Sequence, residues 1–128
     1  MNGGSVSKSL VILEVVGKFK IKCELKRHLS PSLVGIINRS LPISGTIHML
    51  GNSGVYLEST IESGGGRTRT DFKKGDIAFL SVGHAFCFFY KDTKLEKNLI
   101  PIGKILDNPE ELLKSNSGDE VSIYCDVG

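Results

Sequence analysis

One cysteine and one histidine stand close enough in this chain to suggest a thiol nucleophile: Cys87 follows His84 by three residues. A thiolate needs a base within hydrogen-bond reach and an electropositive surround. Cys87 instead lies between Phe86 and Phe88-Phe89, an apolar setting that keeps a thiol protonated. The expectation is a buried structural cysteine, with no catalytic residue assigned. His28, His48 and His84 are scattered, with neither H-x-H nor H-x-x-x-H spacing, and no C-x-x-C occurs among Cys23, Cys87 and Cys125. No metal site and no cofactor is therefore expected. Glu58, on an alternating strand, is either a pocket carboxylate or a solvated strand residue. His84, after Gly83, is either a polar group at a pocket rim or a turn residue. Gly64-Gly65-Gly66-Arg67-Thr68-Arg69 could form an anion-binding backbone concavity with two guanidinium groups, but it matches neither a Walker A nor a Rossmann fingerprint. A flexible surface loop is the plainer reading.

The elements that must position these residues belong to one domain. The chain has 128 residues, 40% hydrophobic and 23% charged, enough for one ordinary core. Residues 1–9 read as a flexible tail and 10–128 as a single domain. No apolar run approaches a membrane span, and Met1–Ser9 lacks the hydrophobic region of a secretory leader. The expected location is the cytoplasm, with all three thiols reduced and unlinked. Net charge is +2, unevenly spread: residues 1–104 carry 15 basic and 8 acidic groups, residues 105–128 only 1 basic and 6 acidic. Such a distribution can steer an anion or pack against itself. No basic cluster interleaves with aromatics and there is no Trp, so nucleic acid is not an expected partner. Whether the chain is a monomer or a homo-oligomer stays open.

Leu10–Val16 is rich in β-branched residues, and after Gly17-Lys18 the chain alternates cleanly, with Phe19, Ile21, Cys23 and Leu25 on one face. That is a hairpin with one solvated face. Ser30-Pro31 is a helix start, and Leu33, Ile37 and Leu41 supply an apolar stripe that ends at Pro42. Thr46–Leu50 and Val55–Ile61 read as strands, Thr68–Phe72 as a further one, and Ile77–Val82 and Ala85–Tyr90 as a strongly apolar pair. Lys91–Asn98 reads as a polar loop before a strand over Leu99–Ile105. Asn108-Pro109-Glu110-Glu111 repeats the helix-start logic, and Val121, Ile123 and Cys125 alternate in a last strand. About eight strands and two short helices, without βαβ alternation, predict a mainly β fold. Its economical form is a closed eight-stranded barrel capped by two short helices, because closure removes exposed edges.

Gly75-Asp76-Ile77-Ala78-Phe79-Leu80-Ser81-Val82-Gly83-His84-Ala85-Phe86-Cys87-Phe88-Phe89-Tyr90 resembles the signature of a small prokaryotic family of cyclophilin-like proteins. There, a GDIAYWPPGNA-like stretch leads into an apolar, Phe-rich strand. The order of the remaining elements is similar over residues 10–125. The resemblance implies the cyclophilin architecture. In true cyclophilins the matching strand pair reads LSMAN, then SQFFI. Leu80 and Ser81 then fall at the Ala-Asn positions lining the proline pocket, Cys87 at the Gln and Phe89 at the second Phe. Val55-Tyr56-Leu57-Glu58 resembles the FMxQ strand, which places Tyr56 at the Met and Glu58 at the Gln. The cyclophilin FHR segment, whose Arg polarises the prolyl amide, corresponds to Ile47-His48-Met49-Leu50, which has no Arg.

The leading expectation is a binding module, with one concave barrel-side cleft between strands 55–61 and 77–90 holding a small molecule or an extended peptide. Its polar groups would be Glu58, Ser81 and His84, with Tyr56, Leu80 and Phe89 as an apolar floor beside Cys87. The alternative is a peptidyl-prolyl isomerase, weakened by the missing Arg, since no cation is left to stabilise the twisted amide. A third is an anion-binding enzyme using Arg67 and Arg69. On this reading Phe89 is partly exposed at the cleft, whereas Phe19 fills the barrel interior.

Overall fold

A computed structural model describes residues 8–63 and 65–127. Among the described residues, nine strands, one α-helix and one 3-10 helix follow in the order β1 (Lys8–Val15), β2 (Phe19–Lys26), α1 (Pro31–Ser40), β3 (Ile43–Leu50), β4 (Gly54–Glu58), β5 (Arg69–Phe72), β6 (Asp76–Leu80), β7 (Ala85–Phe89), β8 (Thr93–Ile105), the 3-10 helix (Pro109–Lys114) and β9 (Glu120–Cys125). Lys8 and Ser9, expected in the tail, belong to β1, and residues 1–7 lie outside the described residues.

The strands run β2-β1-β9-β3-β4-β7-β6-β8-β5, and β2 also pairs with β8. Eight strands therefore form a ring of antiparallel ladders, with β5 attached outside it to β8. The closing ladder matches Cys23 with Ile105, Glu24 with Lys104 and Leu25 with Gly103. Glycine is required at 103, because a β-carbon there would collide with the backbone carbonyl of Glu24. Pro101, which cannot donate to a ladder, sits where the β6–β8 register shifts between Ile77 and Ala78.

Alternation sorts side chains between two apolar clusters. Val11, Leu13, Ile21, Cys23, Val55, Leu57, Ile77, Phe79, Phe86 and Phe88 fall in the large one, which also receives Leu33, Val34 and Ile37 of α1. Phe72, Ala78, Cys87, Phe89 and Leu99 form the second, on the opposite face of β6 and β7. All five residues of β7 are buried, as are four of the five of β6. The near-continuous apolar run over 77–90 thus reflects burial on both faces. Beneath β5, Phe89 stacks flat on Phe72 with ring centroids 5.0 Å apart.

Several sequence expectations are corrected. Thr93–Asn98 is not a loop but the first half of the 13-residue β8. Its apolar signal is weak because this part is a surface ribbon paired with β5, held by backbone hydrogen bonds. Ser59–Ile61 is not strand. The Ser59 amide and hydroxyl donate to the His84 carbonyl at 2.9 and 2.7 Å, which turns the chain out of the ladder. Ser30 occupies the N-cap position of α1 without capping: its hydroxyl donates to the Pro101 carbonyl at 3.2 Å and so fastens the helix to β8. Asn108 does cap, accepting from the Glu110 amide at 3.0 Å. The cysteines are all free, Cys23 and Cys87 buried but Cys125 exposed, because β9 has left the core at its last residue.

Phe89 is fully buried, whereas Phe19 is only partly so and packs at the margin of the large cluster. The expected order of the two is reversed. Phe89→Ala should cost about 3–5 kcal/mol, the range for a truncated core aromatic, and Phe19→Ala clearly less. Denaturant melts of both variants measure the difference, and equal costs would contradict the burial.

Candidate functional site

A concave cleft of about 470 Å³ lies on the outer face of the sheet, between β4, β7 and β6 below and the first half of β8 above. Three rows of side chains build its floor. Tyr56 on β4 is opposite Cys87 on β7, and Cys87 is opposite Ala78 on β6. On one side of that row lies Leu50 of β3. On the other, Glu58, Ala85 and Leu80 are successive partners across the same three strands. Leu95 and Leu99 of β8 bring apolar groups from above, and Glu96 and Lys97 bring charge to the mouth.

Of the residues expected from sequence, Tyr56, Glu58, Leu80 and Cys87 line this cleft together. Ser81 and His84 do not. They belong to the turn between β6 and β7, where the His84 amide donates to the Ser81 carbonyl at 3.3 Å. His84 adopts φ 54°, uncommon for a residue with a side chain. Its Nδ1 is 2.8 Å from the Ile61 carbonyl oxygen, so this nitrogen carries the proton it donates. With its own carbonyl accepting from Ser59, His84 fastens the 59–61 segment to the turn. Phe89 points into the second cluster beneath β5 and lines no part of the cleft. The turn instead contributes Val82 and Gly83; Val82 is 88% exposed at the cleft's edge.

His48 was not expected at the site. It stacks on Tyr56 with centroids 5.0 Å apart and places Nε2 4.0 Å from a Glu58 oxygen and 3.4 Å from the Thr46 hydroxyl. Tyr56 is thus braced from the side by an imidazole that Glu58 and Thr46 orient. The pair is exposed, so its electrostatic worth is small, roughly 0–1 kcal/mol. Leu50, Leu95, Glu96 and Lys97 were also missed. Leu95, a lone apolar residue in a polar stretch, was the one signal available.

Burial pushes the Cys87 thiol up to about 12, and that of Cys23 likewise, with Asp107 adding to the latter. A neutral thiol facing the cleft is an apolar surface, not a nucleophile. His84 offers it no activation, being turned to Ile61. Among the described residues no group of three or more His, Cys, Asp or Glu could hold a metal ion, and no helix is long and apolar enough to cross a membrane. Arg67 and Arg69 do not act together: Arg69 pairs with Asp76 at 3.0 Å and lies over the Phe72 ring, while Arg67 stands at a different groove beside Gly65 and Gly66. Gly64 lies outside the described residues.

The sequence matches the Cyclophilin-like family over residues 10–124. The chain belongs to that family. No curated protein matches it significantly. Among solved structures, the cyclophilin-like ring superposes on the solution structure of the hypothetical protein AF2241 from Archaeoglobus fulgidus with a TM-score of 0.77 at 19% identity, covering 98% of this chain and 100% of that one. It also superposes on McbB in complex with tryptophan, with a TM-score of 0.76 at 14% identity, covering 92% of this chain. The cyclophilin-like chain spans 45% of McbB, and at these identities both likenesses concern the fold alone.

Raised thiol pKa values make a linked prediction. Both thiols ionise near 9.0 when unfolded and near 12 when folded. The stability they lend is complete below pH 9 and falls as pH climbs towards 12. At pH 8, Ellman's reagent should titrate Cys125 rapidly in the native protein and reach Cys23 and Cys87 only on denaturation. Fast labelling of all three would show that the two buried sites are open to solvent.

Proposed function

We propose that this cyclophilin-like domain is a binding module whose barrel-side cleft takes a small molecule with a flat apolar body and a polar end. One observation carries the reading: β4, β7 and β6 turn Tyr56, Leu80 and Cys87 outward, beneath Leu95, on a face that β5 and Phe72 cover elsewhere. A cleft of about 470 Å³ is within the usual range for small-molecule sites, and it combines an apolar floor with a few polar groups at its mouth. Tyr56 offers a ring face for stacking, fixed in place by His48. Glu58, Glu96 and Lys97 supply the charged rim that orients the polar end.

L-tryptophan is a suitable first probe, since it has this shape and is the molecule held by McbB, whose fold is shared. Amide NMR titration should show saturable shifts at residues 56, 80, 87 and 95. Tyr56→Ala should weaken binding by about 1 kcal/mol, or several-fold, by loss of the aromatic contact. Leu80→Asp should abolish it. Shifts scattered over the surface, or none with tryptophan, indole or a short peptide, would remove the proposal.

An extended peptide is the second occupant compatible with the open mouth, but prolyl isomerisation is not the expected outcome. The residues lining the cleft include no Arg, and the cation at its mouth is Lys97, a flexible point charge rather than a planar fork. In a protease-coupled assay with a Pro-containing tetrapeptide, acceleration should be absent or very weak. A rate approaching that of ordinary cyclophilins would contradict this account.

A further inference from the structure

A second concavity, distinct from the cleft, has a different chemistry. It lies where the end of β2 meets β5, the start of β6 and β8, encloses about 430 Å³, and draws four cations to one place: Lys26, Arg69, Lys73 and Lys104. Two carboxylates, Asp71 and Asp76, and His28 share it. Asp76 is 2% exposed. Its oxygens are taken up by the Lys73 amide at 2.8 Å, Arg69 Nη2 at 3.0 Å and Lys104 Nζ at 3.3 Å. One desolvated carboxylate therefore anchors two cations, and although the Lys73 ammonium pairs outward with Asp92 at 3.8 Å, the cations still outnumber the carboxylates around the groove. The anchored side chains remain about half exposed, Arg69 at 47% and Lys104 at 50%.

Arg69 is held from a second direction. Its guanidinium lies over the Phe72 ring, 4.9 Å from the ring centre, a cation–π contact that adds to the Asp76 pair. A guanidinium has five N–H donors, and one of them is directed to Asp76. Lys26 is half-buried and, among the described residues, forms no ion pair with a carboxylate. A cation fixed in place before binding loses less side-chain entropy when an anion arrives. The Asp76 network thus works as a scaffold for anion capture, and the exposed Asp71 limits the excess without cancelling it.

We propose that this groove is an anion site for a small phosphorylated molecule, with Arg69 as the bidentate donor and Lys26 and Lys104 as flanking charges. A planar fork beside two ammonium groups suits the doubly charged oxygens of a phosphate monoester. The volume leaves room for a small organic body attached to it. The groove has no Phe, Tyr or Trp in its lining on which bases could stack, which favours a small ligand over single-stranded nucleic acid.

Calorimetry with inorganic pyrophosphate as the probe, in phosphate-free buffer at low salt, tests this. The expected result is saturable binding of one pyrophosphate per chain. Lys26→Ala should raise Kd about tenfold, Lys26→Arg should largely preserve it, and Lys20→Ala, an exposed charge on the same strand outside the groove, should leave it unchanged. In NMR the Arg69 side-chain Nε–H should move, while the amides of Tyr56 and Leu80 in the cleft stay still. Absence of saturable binding, or equal losses from Lys20→Ala and Lys26→Ala, would overturn the site. Tighter, Lys26-dependent binding of a single-stranded oligonucleotide would overturn the small-molecule assignment in favour of nucleic acid.

Discussion

The ring closes because two backbones come into direct contact. At Gly103 the β8 main chain lies against Glu24 and Leu25 of β2, closer than any side chain would allow. This contact turns an open sheet into a ring and leaves β1, β2 and β8 without free ladder edges inside it. Everything above it inherits the geometry. The same strand that closes the ring runs back past Leu99 as a ribbon over the outer face of β6 and β7, and that ribbon is the upper wall of the cleft. Ser30 extends the same logic to the helix, giving its hydroxyl to Pro101 in β8 and not to the helix's own amides.

Burial of β6 and β7 on both faces explains how a core and an open cleft coexist in so short a chain. Their inward side chains, Ile77, Phe79, Phe86 and Phe88, fill the ring. Their outward ones are shared between two uses. Phe89, Ala78 and Cys87 are buried with Phe72 and Leu99 and contribute to stability, whereas Leu80 and Tyr56 reach the open part of the same face, with Cys87 beneath the cleft floor between them. The boundary is drawn by how far β5 extends: it has four residues, and the surface beyond it stays uncovered.

The charged groups are arranged on the same framework. Asp76 begins β6 beneath β5 and opposite Lys104, so a carboxylate that burial would otherwise penalise is compensated by two cations and a backbone amide. That requirement draws Arg69 away from the Gly-rich loop and from Arg67. The apolar cleft and the cationic groove consequently stand apart, one on the uncovered sheet face and one at the seam where β2 meets β8. A ligand for either would meet a different kind of surface: ring faces and aliphatic carbons in the first, fixed positive charge in the second.

Much of the fold was legible from the sequence by itself. Alternation in Phe19–Leu25 and in Val121–Cys125, the Ser30-Pro31 and Asn108-Pro109 starts, and the apolar 77–90 pair are local patterns whose period states which element forms. The resemblance of residues 75–90 correctly pointed to the cyclophilin-like family. Side-chain parity also placed Tyr56 with Glu58, and Cys87 with Phe89, on common faces. What parity cannot say is what covers a face. Phe89 and Cys87 are equivalent by alternation and both buried, yet Phe72, seventeen residues away in sequence from Phe89, stacks over one while the other lies under the cleft. His84 carries a titratable ring in a turn next to the site, but its direction was decided by the Ile61 carbonyl, which no local pattern announces. Thr93–Asn98 became a strand because β5 offered it a ladder. Local periodicity determines elements through short-range sterics and hydrophobic patterning, while cover, pairing partners and the direction of polar groups depend on residues far along the chain, which only the closed ring brings together.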